Sequence, residues 1–454
     1  MHTRLRRASA ASLLLLATPA SAQALQDALG APANLQLSGS VRLRYETIDG
    51  QFRPGFREGE DAVSIRTILT AEYRTGQFRI GGELWDSRVY DSDSGSAIGT
   101  GEVDAFEPVQ AYVAADFPDA FGKGSAASIK AGRFTLDLGS RRLFAADEYR
   151  NTTNGFTGVR GDVKARDGTN LTLFYVLPQL RLPDDQPSLL RNRVELDKES
   201  FAARAWGALL TKPKLFGRNA LELGYYGFAE RDAPGRPTRD RRLHMIDARV
   251  IRDPAPGSFD YEAEGIYQLG HVSAGTAATA ARLDVAARFF HVDLGYSFSA
   301  AWKPHLSIEY DYASGDGGGA SYGRFDTLFG MRRGDFAPAG LYNGVTRANL
   351  QTIGIRLEAR PDKRSDGFLT YRPMWLAAST DSFATTGVRD ASGRSGKFAG
   401  DQLEGRYRRW LVPDRLRAEV NAVWLAKRGV LRAAPNAPRW GDTHYLSLAV
   451  STLF

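Results

Sequence analysis

The feature that most constrains this chain is a two-residue alternation that puts polar groups, arginine above all, on one side of segment after segment. In LQLSGSVRLRYE, Leu35, Leu37, Val41, Leu43 and Tyr45 share one face, and Gln36, Ser38, Ser40, Arg42 and Arg44 share the other. In VSIRTILTAEYR, Val63, Ile65, Leu69, Ala71 and Tyr73 oppose Ser64, Arg66, Thr70, Glu72 and Arg74. Thr75-Gly76 then turns the chain, and Phe78, Ile80 and Leu84 oppose Arg79 and Glu83. Side chains alternate across a strand with period two, so these segments are strands and the last two form a hairpin. The pattern recurs downstream. Val159, Val163 and Ala165 face away from Arg160, Asp162 and Lys164, and Ala203, Ala205 and Leu209 oppose Arg204 and Trp206. Ile353, Ile355 and Leu357 oppose Arg356, Glu358 and Arg360, and Ala418, Val420 and Ala422 oppose Arg417, Glu419 and Asn421. No helical period of comparable length is present. A soluble sandwich hides its apolar face in a core and has no use for charge in nearly every strand. A closed barrel in a bilayer uses both faces, one against lipid and one against a water-filled lumen.

The connections agree. Stretches such as DSDSGSAIGTG, RDAPGRPTRD, SGDGGGASYG and RDASGRSG read as long polar loops, against turns as short as Thr75-Gly76. Outer-membrane barrels pair short periplasmic turns with longer outer loops; at roughly 24 residues per strand and connection, such a chain makes about 14–18 strands, with 18 favoured. The expected fold is therefore all-β: a single transmembrane antiparallel up-and-down β-barrel of outer-membrane type. Tyr45, Tyr73, Trp85, Tyr175, Tyr225, Tyr267, Trp302, Tyr310, Trp375 and Trp424 fall mostly at strand ends, where interfacial aromatic belts sit.

Both ends carry signals. Arg4, Arg6 and Arg7 precede an apolar run at Leu13–Leu16 and a small-x-small site at Ala20-Ser21-Ala22. Residues 1–22 thus read as a cleavable signal peptide, and residues 23–454 as the barrel. The other end, THYLSLAVSTLF, sets Leu446, Leu448, Val450 and Thr452 at alternate positions behind Phe454. An open edge is untenable in lipid, so this last strand is expected to close on the first, LQLSGSVRLRYE. Phe454, Val450 and Leu448 match the terminal pattern that outer-membrane barrels present to the assembly machinery.

Of 59 basic residues 10 are lysine, so 59 − 10 = 49 are arginine, the always-charged planar fork that suits carboxylates and phosphates. The formal net charge of +7 becomes 7 − 3 = +4 without Arg4, Arg6 and Arg7. There are no cysteines, and the histidines stand without partners at motif spacing. No zinc signature, nucleophile elbow or phosphate-cradling loop is present, so neither an enzyme nor a cofactor or metal site is expected. DSDSG at 91–95 and SGDGGG at 314–319 cluster oxygens that suit calcium, but neither has the full ligand spacing and a solvated loop is the preferred reading. Strand alternation with an export signal also argues against nucleic acid.

The stretch AGRFTLDLGSRRLFAADEYRNTTNGFTGVR resembles a signature of the alginate-export family of outer-membrane barrels. The matching residues are Gly132, Arg133, Leu138, Gly139, Ser140, Arg142, Leu143, Asn151, Thr152, Phe156, Gly158, Val159 and Arg160. Residues 260–270 and 308–330 resemble two further family segments, while Phe134-Thr135 and Thr157 depart from the pattern. The resemblance implies a monomeric barrel in the cell outer membrane whose electropositive lumen passes an anionic uronic-acid polysaccharide outward. Its partners would be the outer-membrane lipid, the barrel-assembly machinery, the polysaccharide and periplasmic export partners. Arg42, Arg44, Arg66, Arg74, Arg79, Arg133, Arg160, Arg204, Arg356, Arg360 and Arg417 are the pore-lining candidates. An uptake porin for small anions or sugars is the alternative, and a barrel hydrolase stands further off.

Overall fold

A computed structural model describes residues 26, 29–147, 149–332 and 335–454. The expected signal peptide and cleavage site lie outside the described residues. Each alternating segment is a strand. In chain order these are β1 (Leu35–Asp49), β2 (Glu60–Thr75), β3 (Phe78–Tyr90), β4 (Asp104–Pro118), β5 (Ala126–Phe134) and β6 (Phe156–Lys164). They continue as β7 (Asn170–Pro178), β8 (Ala203–Phe216), β9 (Asn219–Glu230), β10 (Arg242–Arg252), β11 (Ser258–Ser273) and β12 (Arg282–Ser297). The series ends with β13 (His305–Ala313), β14 (Ser321–Tyr322), β15 (Leu350–Asp362), β16 (Ser365–Trp375), β17 (Phe398–Val412), β18 (Leu416–Lys427) and β19 (Thr443–Leu453).

Every strand but β14 pairs antiparallel with its chain neighbours, and β13 pairs directly with β15. The two-residue β14 only covers the outer edge of β12, where that strand runs on beyond the end of β13. The result is a closed antiparallel barrel of 18 strands. Closure is made by β1 and β19, in register from Ser40 opposite Leu453 to Asp49 opposite His444. The connections alternate as expected: tight turns such as Gly76-Gln77, where Gly76 takes φ +56°, lie at one end, and long segments such as 91–103, 135–155 and 376–397 at the other.

Phe454 completes the seam. Its N–H donates to Gly39 O at 3.0 Å and its carbonyl accepts from Gly39 N at 2.7 Å. Its ring lies over Gly39, where a Cβ would come within 2.5 Å of it. The aromatic thus fills the outward face of the first strand at a position that only glycine leaves open. Deleting Phe454 is expected to reduce severalfold the amount of heat-modifiable barrel recovered from outer membranes; undiminished recovery would count against this role for the seam.

The wall alternation holds over most of the barrel, with Ile353, Ile355, Leu357, Leu369, Tyr371, Leu448 and Val450 outward and exposed to lipid. The outer half of the lumen is not empty. Two apolar clusters fill it, one around Phe52, Phe336, Leu341, Tyr342 and Phe383, the other around Phe134, Phe144, Phe156, Tyr226 and Phe289. Both are built from long connections that fold inward against the wall. This gives the long segments a core of their own, and it narrows the passage.

Candidate functional site

The connection between β5 and β6 is the central element of the lumen. Leu136, Leu138, Leu143 and Phe144 are buried, and the Phe144 ring contacts Phe156, Phe174, Tyr226 and Phe329 at centroid distances of 5.3–6.0 Å. This apolar anchor draws the segment inside. Polar groups then tie it to two different walls. On one side the Arg142 guanidinium reaches Glu262 of β11 at 2.5 Å, Glu264 of the same strand, and Asp335 at 2.8 Å. On the other side the main-chain carbonyls of Tyr149 and Arg150 accept from the arginines of β1 and β2: Arg44 to Tyr149 at 2.5 Å, Arg42 to Arg150 at 2.7 Å and Arg66 to Arg150 at 2.9 Å. The segment therefore crosses the lumen as a strap. A second inward connection backs it, with Phe329 N donating to Leu143 O, Met331 N to Arg141 O, and Arg347 ion-paired to Asp335.

Beneath the strap lies a cavity of about 300 Å³, lined by Arg42, Arg44, Arg66, Arg356, Arg406, Arg408 and Arg417 together with Tyr149, Phe368 and Glu419. Among the described residues, seven guanidiniums stand there with one carboxylate in the lining itself, and further carboxylates lie a step behind. Glu358 holds Arg356 at 2.7 Å, and Asp366 holds Arg408 at 2.8 Å and Arg406 at 3.2 Å. Aromatic faces carry part of the load, since Phe368 underlies Arg356 at 3.8 Å and Trp85 underlies Arg66 at 4.8 Å. The wall of β9–β13, across the barrel from β1, β2, β17 and β18, has the opposite character. Glu222, Asp247, Glu262, Glu264, Asp293, Glu309 and Asp311 point inward there, with Arg249 and His291 among them. The lumen is thus polarised across its width.

The candidate residues divide by position. Arg42, Arg44, Arg66, Arg356 and Arg417 come together in the cavity. Arg79 and Arg160 face the lumen lower down, paired with Asp116 at 2.6 Å and Asp162 at 2.7 Å. Arg133 is held by Glu107 at 2.6 Å and Glu199 at 2.8 Å. Arg74 and Arg360 are exposed at the short-turn end of their strands. Arg204 is a correction: it is exposed on the outward face, while Ala205 and Leu209 are buried inside. The reason is the strap. Where the lumen is filled by its phenylalanines, small and apolar residues take the inner face, so arginine on one parity no longer marks the inside. Trp85 is corrected likewise; it faces the lumen, 6% exposed, rather than joining an interfacial belt.

Arg406 and Arg408 are not among the candidates, although GRYRRW alternates in the same manner as the strands above. Arg372, 1% exposed and bound to Glu309 at 2.6 Å and Asp311 at 3.3 Å, is a further lumen arginine outside the candidates. Arg142 stood in the quoted motif but on a connection, where alternation says nothing.

The alginate export family profile matches residues 33–437, well over half of the chain. The chain belongs to the alginate export family. A search of the curated proteins finds no significant match. Among solved structures, this alginate export family member is similar to OccK2 (OpdF) of Pseudomonas aeruginosa, with a TM-score of 0.58 and 14% identity over 93% of this chain and 98% of that one. Another crystal structure of OccK2, in complex with glucuronate, has a TM-score of 0.56 and 15% identity over the same shares. OccAB1 of Acinetobacter baumannii gives 0.57 and 14% over 93% and 97%. These likenesses concern the fold. Family and fold together make the alginate export family member an outer-membrane channel of porin-like architecture, in a class of transport proteins rather than enzymes.

Proposed function

We propose that the channel passes an anionic, uronate-bearing polysaccharide or oligosaccharide, in the outward direction that membership of the alginate export family favours. The observation that carries this reading is the cavity beneath the strap, where arginines of β1, β2, β15, β17 and β18 converge. A bank of guanidiniums lowers the cost of bringing carboxylates into a narrow passage, and Glu358, Asp366 and Glu419 beside it keep any one site from holding them too tightly. In this reading an arginine-rich, electropositive lumen is the working surface. The exported chain, residues 23–454 after signal-peptide cleavage, acts as a monomer, inserted by the barrel-assembly machinery and supplied by periplasmic export partners.

Uptake of small acidic sugars is a second reading, favoured by the strap, which is tied to two walls and narrows the passage. Liposome swelling in glucose, glucuronate and short oligouronates tests the two together. Faster entry of the acidic sugars than of glucose is expected. In planar bilayers, anion-selective conductance blocked by added polyuronate is expected as well. Cation selectivity, or indifference to polyuronate, would overturn the polysaccharide reading, and swelling limited to monosaccharides would favour the uptake porin.

A further inference from the structure

At the outer rim, away from the arginine cavity, Asp104 and Glu107 at the start of β4 meet Asp197 from the connection between β7 and β8. One carboxylate oxygen from each lies within 4.8 Å of the others. The three residues are 2%, 0% and 5% exposed. Three of their six oxygens have hydrogen-bond partners among the described residues. Glu107 accepts from Arg133 at 2.6 Å and from Asp197 N at 2.8 Å, and Asp197 Oδ1 accepts from Leu182 N at 2.8 Å. Asp104 Oδ1 is buried and accepts no hydrogen bond among the described residues. A buried carboxylate oxygen without a donor is costly, and two further carboxylates beside it add repulsion. The guanidinium that does pair with the group, Arg133, is shared with Glu199 at 2.8 Å. Arg181, which also lies close, spends one end of its fork on Thr153 O at 2.9 Å and Asn154 Oδ1 at 2.7 Å.

We propose that Asp104, Glu107 and Asp197 bind a divalent cation, calcium in preference to magnesium or zinc. The donors are all hard oxygens, which suit calcium and magnesium, whereas zinc favours nitrogen and sulfur. Calcium–oxygen distances of about 2.4 Å put ligands on opposite sides of the ion about 4.8 Å apart, so oxygens this close can share one ion. Magnesium keeps several of its waters, for which a rim this buried leaves little space, whereas calcium accepts irregular sets of protein oxygens. The ion joins two parts of the chain that spacing could not link, since Asp104 and Asp197 are far apart in sequence and adjacent in space. It also pins the connection from 179 to 202, which is held to the wall elsewhere by Asn192 on the Val89 main chain at 2.7 and 2.8 Å.

The test uses the full barrel in detergent, stripped with chelator and titrated by calorimetry with CaCl2 and, separately, MgCl2. One saturable calcium site is expected, with Kd on the order of 10⁻⁴–10⁻³ M as in extracellular calcium modules, and with weaker magnesium binding. Asp104→Asn should weaken calcium binding by at least tenfold while the barrel stays heat-modifiable and its bilayer conductance is retained. Calcium should also slow protease cleavage within 179–202 in the parent and not in the variant. If Asp104→Asn does not assemble, Asp197→Asn, which lies off the strands, takes its place. Equal calcium binding by parent and variant, or no saturable binding up to about 10 mM, an excess over that affinity range, would overturn the site.

Discussion

Replacing Arg406, Arg408 and Arg417 together with glutamine is expected to remove most of the proposed preference for anions. All three line the cavity beneath the strap, and Arg406 and Arg408 share the wall carboxylate Asp366. Glutamine keeps a polar stem over Phe368 and Trp410, so the wall is preserved while charge is lost. The size follows from Coulomb's law. A unit charge about 6 Å from a passing carboxylate contributes about 332/(80 × 6), or ~0.7 kcal/mol, in water. Three such charges amount to about 2 kcal/mol, or roughly 30-fold in the relative occupancy of anions. Asp366 would then lose the two arginines it holds, and its charge would push in the same direction. Reversal potentials in a salt gradient across a planar bilayer provide the measurement, at low ionic strength, because screening shortens to about 3 Å at 1 M salt. An unchanged ratio of anion to cation permeability would mean that ions pass elsewhere in the lumen.

Releasing the strap should have the second large effect, and acid should do what mutation does. Asp335 is the carboxylate between Arg142 and Arg347. Burial alone would raise its pKa, but the two guanidiniums outweigh burial and hold it well below the ordinary aspartate value. A group whose folded pKa is depressed contributes stability above its unfolded pKa and loses it as pH falls toward the folded value. The window for Asp335 therefore lies below about pH 4, the unfolded aspartate value. Arg142 does not contribute a second transition, since burial lowers its pKa but Asp335, Glu264 and Glu262 more than compensate and keep it charged. Unitary conductance is expected to rise below about pH 4 as the strap loosens. Arg142→Met should produce the open form at pH 7. It removes a guanidinium bound to Glu264 and Asp335 together, at a cost of roughly 3–5 kcal/mol for a broken buried network. A variant that keeps the parent's conductance and melting temperature would show that the apolar anchor around Phe144 holds the strap without the ion pairs.

The barrel was legible in the sequence because its physics is local. Period-two alternation needs only neighbouring residues, and Leu35–Tyr45, Val63–Arg74 and Thr443–Leu453 each display it without reference to the rest of the chain. The seam between β1 and β19 was legible for a further reason: a bilayer forbids a free edge, so a first and a last strand must meet. The arginines of the cavity followed wherever the lumen is wet. Arg204 failed where the lumen is dry, because burial by Phe144 and its neighbours reverses the meaning of the inner face. The strap was not legible at all. Its position depends on Arg142 finding Glu262 and Glu264 on a strand more than a hundred residues away, and on Tyr149 and Arg150 offering carbonyls, which no side-chain pattern encodes. The carboxylates of Asp104, Glu107 and Asp197 escaped for the same reason, as they meet only after folding.

The register that joins Ser40 to Leu453 spans 453 − 40 = 413 residues, and it sets a timetable for biogenesis. Hairpins such as β2–β3 can pair as soon as their own residues are available, but the wall has two bare edges until the final strand arrives. Contacts of such long sequence separation form slowly and leave earlier segments open to aggregation meanwhile. Pairing of β1 with β19 is therefore expected to follow the pairing of hairpins such as β2–β3, because the residues it joins lie so much farther apart in the chain.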